Sequence, residues 1–61
     1  MTPEDAAKTL INGNVTDFKD WSDHVSHGKI FEALVVYVQT SGKTYFHAVN
    51  YFQQLLWKWG Q

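Results

Sequence analysis

Between Gly42 and Gly60 the apolar residues Tyr45, Val49, Phe52, Leu56 and Trp59 recur at steps of four, three, four and three. Lys43, His47, Asn50, Gln54 and Lys58 fall on the opposite side of the same projection. Two complementary stripes over about four turns mark an amphipathic α-helix, and the pattern predicts one over 43–59. An extended conformation sorts nothing here, since it puts Tyr45, His47 and Val49 on one face and Thr44, Phe46 and Ala48 on the other. The preceding run, Leu34 to Val38, is rich in β-favouring side chains. At about 100° per residue, however, Ile30, Phe31, Leu34, Tyr37 and Val38 share an arc of about 120°. Lys29, Glu32 and Gln39 lie opposite, with Val36 the one apolar exception. The prediction is a helix over 29–40 that turns at Ser41-Gly42 into the next. The alternative is an α+β fold with a β-hairpin over 34–48.

The first half of the chain carries helix punctuation. Thr2 is a candidate N-cap, Pro3 suits the first helical position because its missing N–H costs nothing there, and Glu4 and Asp5 complement the helix dipole. Ala6, Ala7, Leu10 and Ile11 follow, and Asn12-Gly13 offers a left-handed stop, so a helix is expected near 3–12. From Asn14, a second cap, Val15, Phe18, Trp21 and Val25 recur on one face, and Gly28 is the expected terminator of a helix over 15–27. The predicted fold is all-α: a single domain over 1–61, a compact bundle of about four short helices. Its core is expected around Phe18, Trp21, Phe31, Leu34, Val38, Val49, Phe52 and Leu56.

A chain of 61 residues buries only roughly 60% of the surface it exposes when unfolded, so its stability is marginal. It has no cysteine, which removes disulfides, thiolate-bound zinc and a thiol nucleophile, and favours a reducing compartment. The first residues lack a basic and then apolar leader, and no apolar run approaches the roughly 18 residues of a membrane span. These features point to the cytoplasm. Five lysines stand against six acids with no arginine, for a net charge of −1, a poor footprint for phosphate binding.

Three constellations resemble chemistry. Gly42-Lys43-Thr44 matches the tail of a P-loop, but the first glycine of that motif would fall at Tyr37, so an interhelical turn is expected instead. Asp20, Asp23, His24 and His27 form two i,i+4 pairs that could reach one metal ion or respond to pH, although a solvated face with weak pairs explains them as well. No metal or cofactor is expected. Trp21-Ser22-Asp23-His24 brings serine, histidine and carboxylate together only as chain neighbours, with Ser22 near the apolar face and His24 pointing away from it. Catalysis is not expected, nor is a small-molecule substrate.

The informative residues are the apolar ones that miss the core stripe. With the buried arc of the last helix centred on Phe52, Phe46 projects about 120° and Trp57 about 140° away on the same flank. Gln53 lies between them and Asn50 beside them, Tyr51 leaves on the other side, and Val36 is similarly misplaced on the third helix. Aromatic anchors with a polar rim are the composition of interface hot spots. The expected function is a small non-enzymatic protein–protein interaction module, an inhibitor or adaptor that occupies a partner's surface, or a self-associating subunit. In size and style, though in no motif, this is similar to small phage-encoded proteins directed at host or defence machinery. The alternative is a helix-turn-helix-like nucleic-acid-binding regulator that reads with the helix from Lys43, presenting Lys43, Thr44, His47 and Asn50.

Overall fold

The computed structural model describes residues 1–56 and contains four helices in the order α1 (Pro3–Ile11), α2 (Val15–Ser22), α3 (His27–Ser41) and α4 (Tyr45–Leu55). No strand occurs among the described residues, and 34–41 and 45–48 are helical, which replaces the hairpin alternative with helix, glycine turn and helix. No helix among them is long and apolar enough to cross a membrane.

Local chemistry sets most of the boundaries. Thr2 Oγ1 accepts a hydrogen bond from the Asp5 N–H at 3.1 Å, and Pro3 follows as the first helical residue. At the other end of α1, Gly13 takes φ 88°, donates to the Leu10 carbonyl at 3.0 Å, and lets Asn14 donate to the Thr9 carbonyl at 3.0 Å. That pair of bonds is a Schellman closure, which satisfies carbonyls a helix end otherwise leaves orphaned. Asn14 then caps α2 by accepting from the Asp17 N–H at 3.3 Å while its amide donates to the Asp17 carboxylate at 2.8 Å. Gly42, with φ 76°, ends α3 by donating to the Val38 carbonyl, and Thr44 Oγ1 caps α4 by accepting from the His47 N–H at 3.1 Å.

Two expected boundaries move. α2 ends at Ser22, and Gly28 is the second residue of α3, because the chain turns over 23–26 and Ser26, in extended backbone, starts the next helix. Gly28 therefore terminates nothing. α4 begins after its Thr44 cap and ends at Leu55, with Leu56 leaving helical backbone at φ −118°, ψ 80°. Lys43 thus precedes α4, and Trp57, Lys58 and Trp59 lie outside the described residues.

α1 packs chiefly on α3 and next on α2, and α4 docks on α3. The core holds Phe18, Trp21, Leu34, Phe52 and Leu56, as expected, together with Ala6, Ala7, Leu10, Ile30, Ala33, Tyr37 and Ala48. The Phe18 ring lies 5.8 Å from Trp21 and meets Phe52 edge-on at 5.1 Å, while Phe52 lies 5.6 Å from Tyr37. One aromatic chain therefore links α2, α4 and α3. Trp21 is tied further, since its Nε1–H donates to the Met1 carbonyl at 2.9 Å. Three expected core residues are displaced: Phe31 is 46% exposed, and Val38 and Val49 are only half-buried. On α3 the buried set Ile30, Ala33, Leu34 and Tyr37 is centred about 50° away from the predicted arc, toward Ala33, which leaves Phe31 at its margin. Tyr45, expected at the head of the buried stripe of α4, is 52% exposed, with Ala48 fully buried one turn later.

Candidate functional site

α4 presents the most exposed large apolar side chain of the described residues. Phe46, the second residue of the helix, is 75% exposed. Asn50 and Gln53 are exposed as well, and their i+4 and i+7 spacing from Phe46 stacks them on the same flank. The structure thus brings together three of the expected contact residues. It does not bring the other two described ones to that flank. Tyr51 is half-buried against Tyr37, with ring centroids 6.0 Å apart, so it contributes to packing within the chain. Val36 is half-buried on α3 and lines a different feature. The sixth expected residue, Trp57, lies outside the described residues.

The feature that Val36 lines was not anticipated. It is an open groove of ≈ 510 Å³ between the start of α1 and one flank of α3. Pro3 from α1 and Phe31, Val35 and Val36 from α3 give it an apolar lining, and each helix adds one carboxylate, Glu4 and Glu32. Its signal was present in the chain as Phe31, Val35 and Val36, apolar residues at i, i+4 and i+5 beside the buried stripe. Glu4 is also held by Lys8 in an i,i+4 pair at 3.4 Å, both side chains largely exposed.

Charge divides the chain. All six acids lie at or before Glu32, alongside three lysines, whereas residues 33–61 contain two lysines and no acid. α4 accordingly has no carboxylate at all, and its start is flanked by the exposed Lys43 and His47.

The remaining constellations resolve into structural roles. His24 Nδ1 lies 2.7 Å from the Asp20 carbonyl; a carbonyl can only accept, so Nδ1 carries the proton there. His27 opens α3 instead of closing α2, so Asp23 and His27 stand at the two ends of the turn between these helices. No group of three or more potential ligands among the described residues could hold a metal ion. Ser22 is buried and donates to the Lys19 carbonyl at 2.7 Å, inside α2. The Lys43 N–H donates to Ser41 Oγ at 3.3 Å, so Gly42-Lys43-Thr44 is a tight connection between two helices, with no strand before it. Burial, and secondarily the neighbouring Tyr51, raise the Tyr37 phenol above its ordinary pKa. No protein-family model, curated protein or solved structure matches this chain.

Proposed function

We propose that this chain is a non-enzymatic protein–protein interaction module that works in the cytoplasm by occupying a partner's surface, as an inhibitor or adaptor does. The observation that carries the reading is Phe46, 75% exposed at the start of an ordered helix. Burying a phenylalanine fully is worth about 1.5–3 kcal/mol, and most of that remains to be gained here when a partner covers the ring. Asn50 and Gln53 beside it supply the polar rim that an anchor residue needs to exclude water from its contact.

The second reading is a helix-turn-helix regulator of nucleic acid. It is favoured by the short connection at 42–44 between α3 and α4, with Lys43 and Thr44 exposed in that connection and His47 and Asn50 exposed on the second helix. The missing arginines and the six acids weigh against it.

One experiment separates them. The tagged protein and its Phe46→Gln variant are used as bait in extract of the native host, with captured material identified by mass spectrometry and nucleic-acid staining. Stoichiometric capture of one protein by the wild type and its loss with Phe46→Gln, at unchanged melting temperature, supports the module. Nucleic acid retained in a strongly salt-dependent manner and released by Lys43→Glu supports the regulator and overturns the module.

A further inference from the structure

We infer that the groove between α1 and α3 is the docking site for the start of α4 from a second copy of this chain. The inference rests on the reading above that Phe46 is a contact residue, and goes beyond it by naming what Phe46 contacts. The groove needs an occupant that is apolar at its centre and basic at its edge. Its apolar lining is Pro3, Phe31, Val35 and Val36, Thr2 adds a hydroxyl, and its only charged lining residues are the carboxylates of Glu4 and Glu32. The start of α4 has that composition: Tyr45 and Phe46, 52% and 75% exposed, lie between Lys43 and His47 on a helix without an acid. Glu32, and Glu4 beside its own pair with Lys8, give the groove an acidic edge while Lys43 gives the start of α4 a basic one, so the two surfaces are complementary in charge as well as in polarity.

Phe46 does not line the groove of its own chain, so the contact forms between molecules. At ≈ 510 Å³ the groove falls in the range that accepts a compact organic ligand, which gives room for an aromatic ring and a neighbouring side chain. The two patches are unlike, so the contact is heterologous: each copy offers one knob and one socket. Charge contributes mainly to encounter and orientation, and burial of Phe46 to affinity.

That asymmetry supplies the test. Sedimentation velocity is run over a wide concentration range on the wild type, on a knob variant, Phe46→Asp, and on a socket variant, Glu32→Lys/Val36→Lys. An acid in the first turn of α4 suits the helix dipole, and a lysine at half-buried Val36 can extend its amine to water, so both variants keep the fold, checked by circular dichroism. Glu32→Lys alone, at an exposed position, serves as the socket variant if the double substitution unfolds. The expected result is concentration-dependent self-association of the wild type, with each variant alone weakened by at least about tenfold. An equimolar mixture of the two variants restores a one-to-one complex, because it contains one intact knob and one intact socket. Higher salt weakens the wild-type assembly.

A wild type that stays monomeric overturns the inference. So does a socket variant that associates as the wild type does, or a mixture that fails to form the complex, since both point to a symmetric α4–α4 contact. A monomeric wild type that still captures a host protein in a Phe46-dependent way rejects the second copy and leaves the module standing. Self-association and capture that both ignore Phe46 reject the two readings together.

Discussion

Phe52→Ala is the substitution whose cost follows most directly from the packing. The ring is fully buried, meets Phe18 edge-on at 5.1 Å and lies 5.6 Å from Tyr37. It is the side chain of α4 that reaches α2 and α3 at once, so no single neighbour can move to fill its space. Truncating a buried phenylalanine to alanine costs about 3–5 kcal/mol, and the two ring contacts place this site toward the upper end. A domain of this length has about 3–9 kcal/mol of total stability at the usual amount per residue. The variant should therefore lose at least a third of its stability and, at the lower end of that range, fail to fold. At about 4–8 °C per kcal/mol for so small a domain, the melting temperature should fall by more than about 12 °C. Thermal melts and urea titrations followed by far-ultraviolet circular dichroism measure both quantities. Phe46→Ala is the internal control: it removes the same group from an exposed site, leaves no cavity, and should stay within about 0.5 kcal/mol of wild type. A Phe52→Ala protein that melts within about 4 °C of wild type, or a Phe46→Ala protein that is the more damaged of the two, would refute the assignment of inside and outside on α4.

Two further predictions concern backbone and ionisation. Gly28 has no left-handed φ, and an added Cβ would meet only Ser26 Oγ at an ordinary 3.8 Å. Gly28→Ala should therefore stabilise by about 0.4–1 kcal/mol, whereas Gly42→Ala, where φ is 76° and the space is open, should cost about 1–2 kcal/mol from backbone strain alone; the same urea titrations read both, and equal signs would refute the boundary assigned to α3. Because burial and then Tyr51 raise the Tyr37 pKa, the folded state holds that proton more tightly than the unfolded chain. Its contribution is complete below the unfolded tyrosine value of about 10 and is lost as pH rises through the higher folded value. Tyr37→Phe should flatten part of the alkaline decline in stability, and an unchanged decline would show that the phenol takes no part in it.

The features legible in the sequence were those with a local cause. Thr2-Pro3 and Asn14 act where capping chemistry places them, and Gly13 and Gly42 take the left-handed conformation that their turns require. The helical period of Phe18, Trp21, Leu34, Phe52 and Leu56 identified five buried residues because large apolar side chains dominate a projection. What was not legible depended on the partner helix. Ala6, Ala7, Ala33 and Ala48 are all fully buried, yet alanine is too small and too common on helix surfaces to announce a face. Ala33 draws the buried arc of α3 toward itself, and this displacement exposed Phe31 and opened the groove. Gly28 misled for a related reason: glycine permits a stop but does not impose one, and the extended Ser26 sets the break. Trp21 is anchored by the Met1 carbonyl, twenty residues distant and invisible to any local pattern. The flank of Phe46, Asn50 and Gln53 was legible because it follows from the period of α4 alone; the groove was not, because it needs two helices and the space between them.

The exposed aromatics also bear on what the fold alone can account for. In a domain this small the interior is limited, and the described core is filled by four rings, Phe18, Trp21, Tyr37 and Phe52, with Tyr51 beside them. Phe31, Tyr45 and Phe46 remain largely outside. They contribute little to the stability of one molecule, and exposed apolar area favours association in solution. If they were merely surplus, they would be scattered without regard to charge. Instead Phe31 lies beside the carboxylates of the groove, and Tyr45 and Phe46 lie on the helix that carries no acid. A surplus ring needs no charged neighbour, whereas a ring that must be covered in one orientation benefits from opposite charges at its two ends. The arrangement on α1, α3 and α4 is what the proposed contact between two copies requires, and sedimentation of the Phe46→Asp and Glu32→Lys/Val36→Lys variants, alone and mixed, decides whether the exposed rings are its two halves.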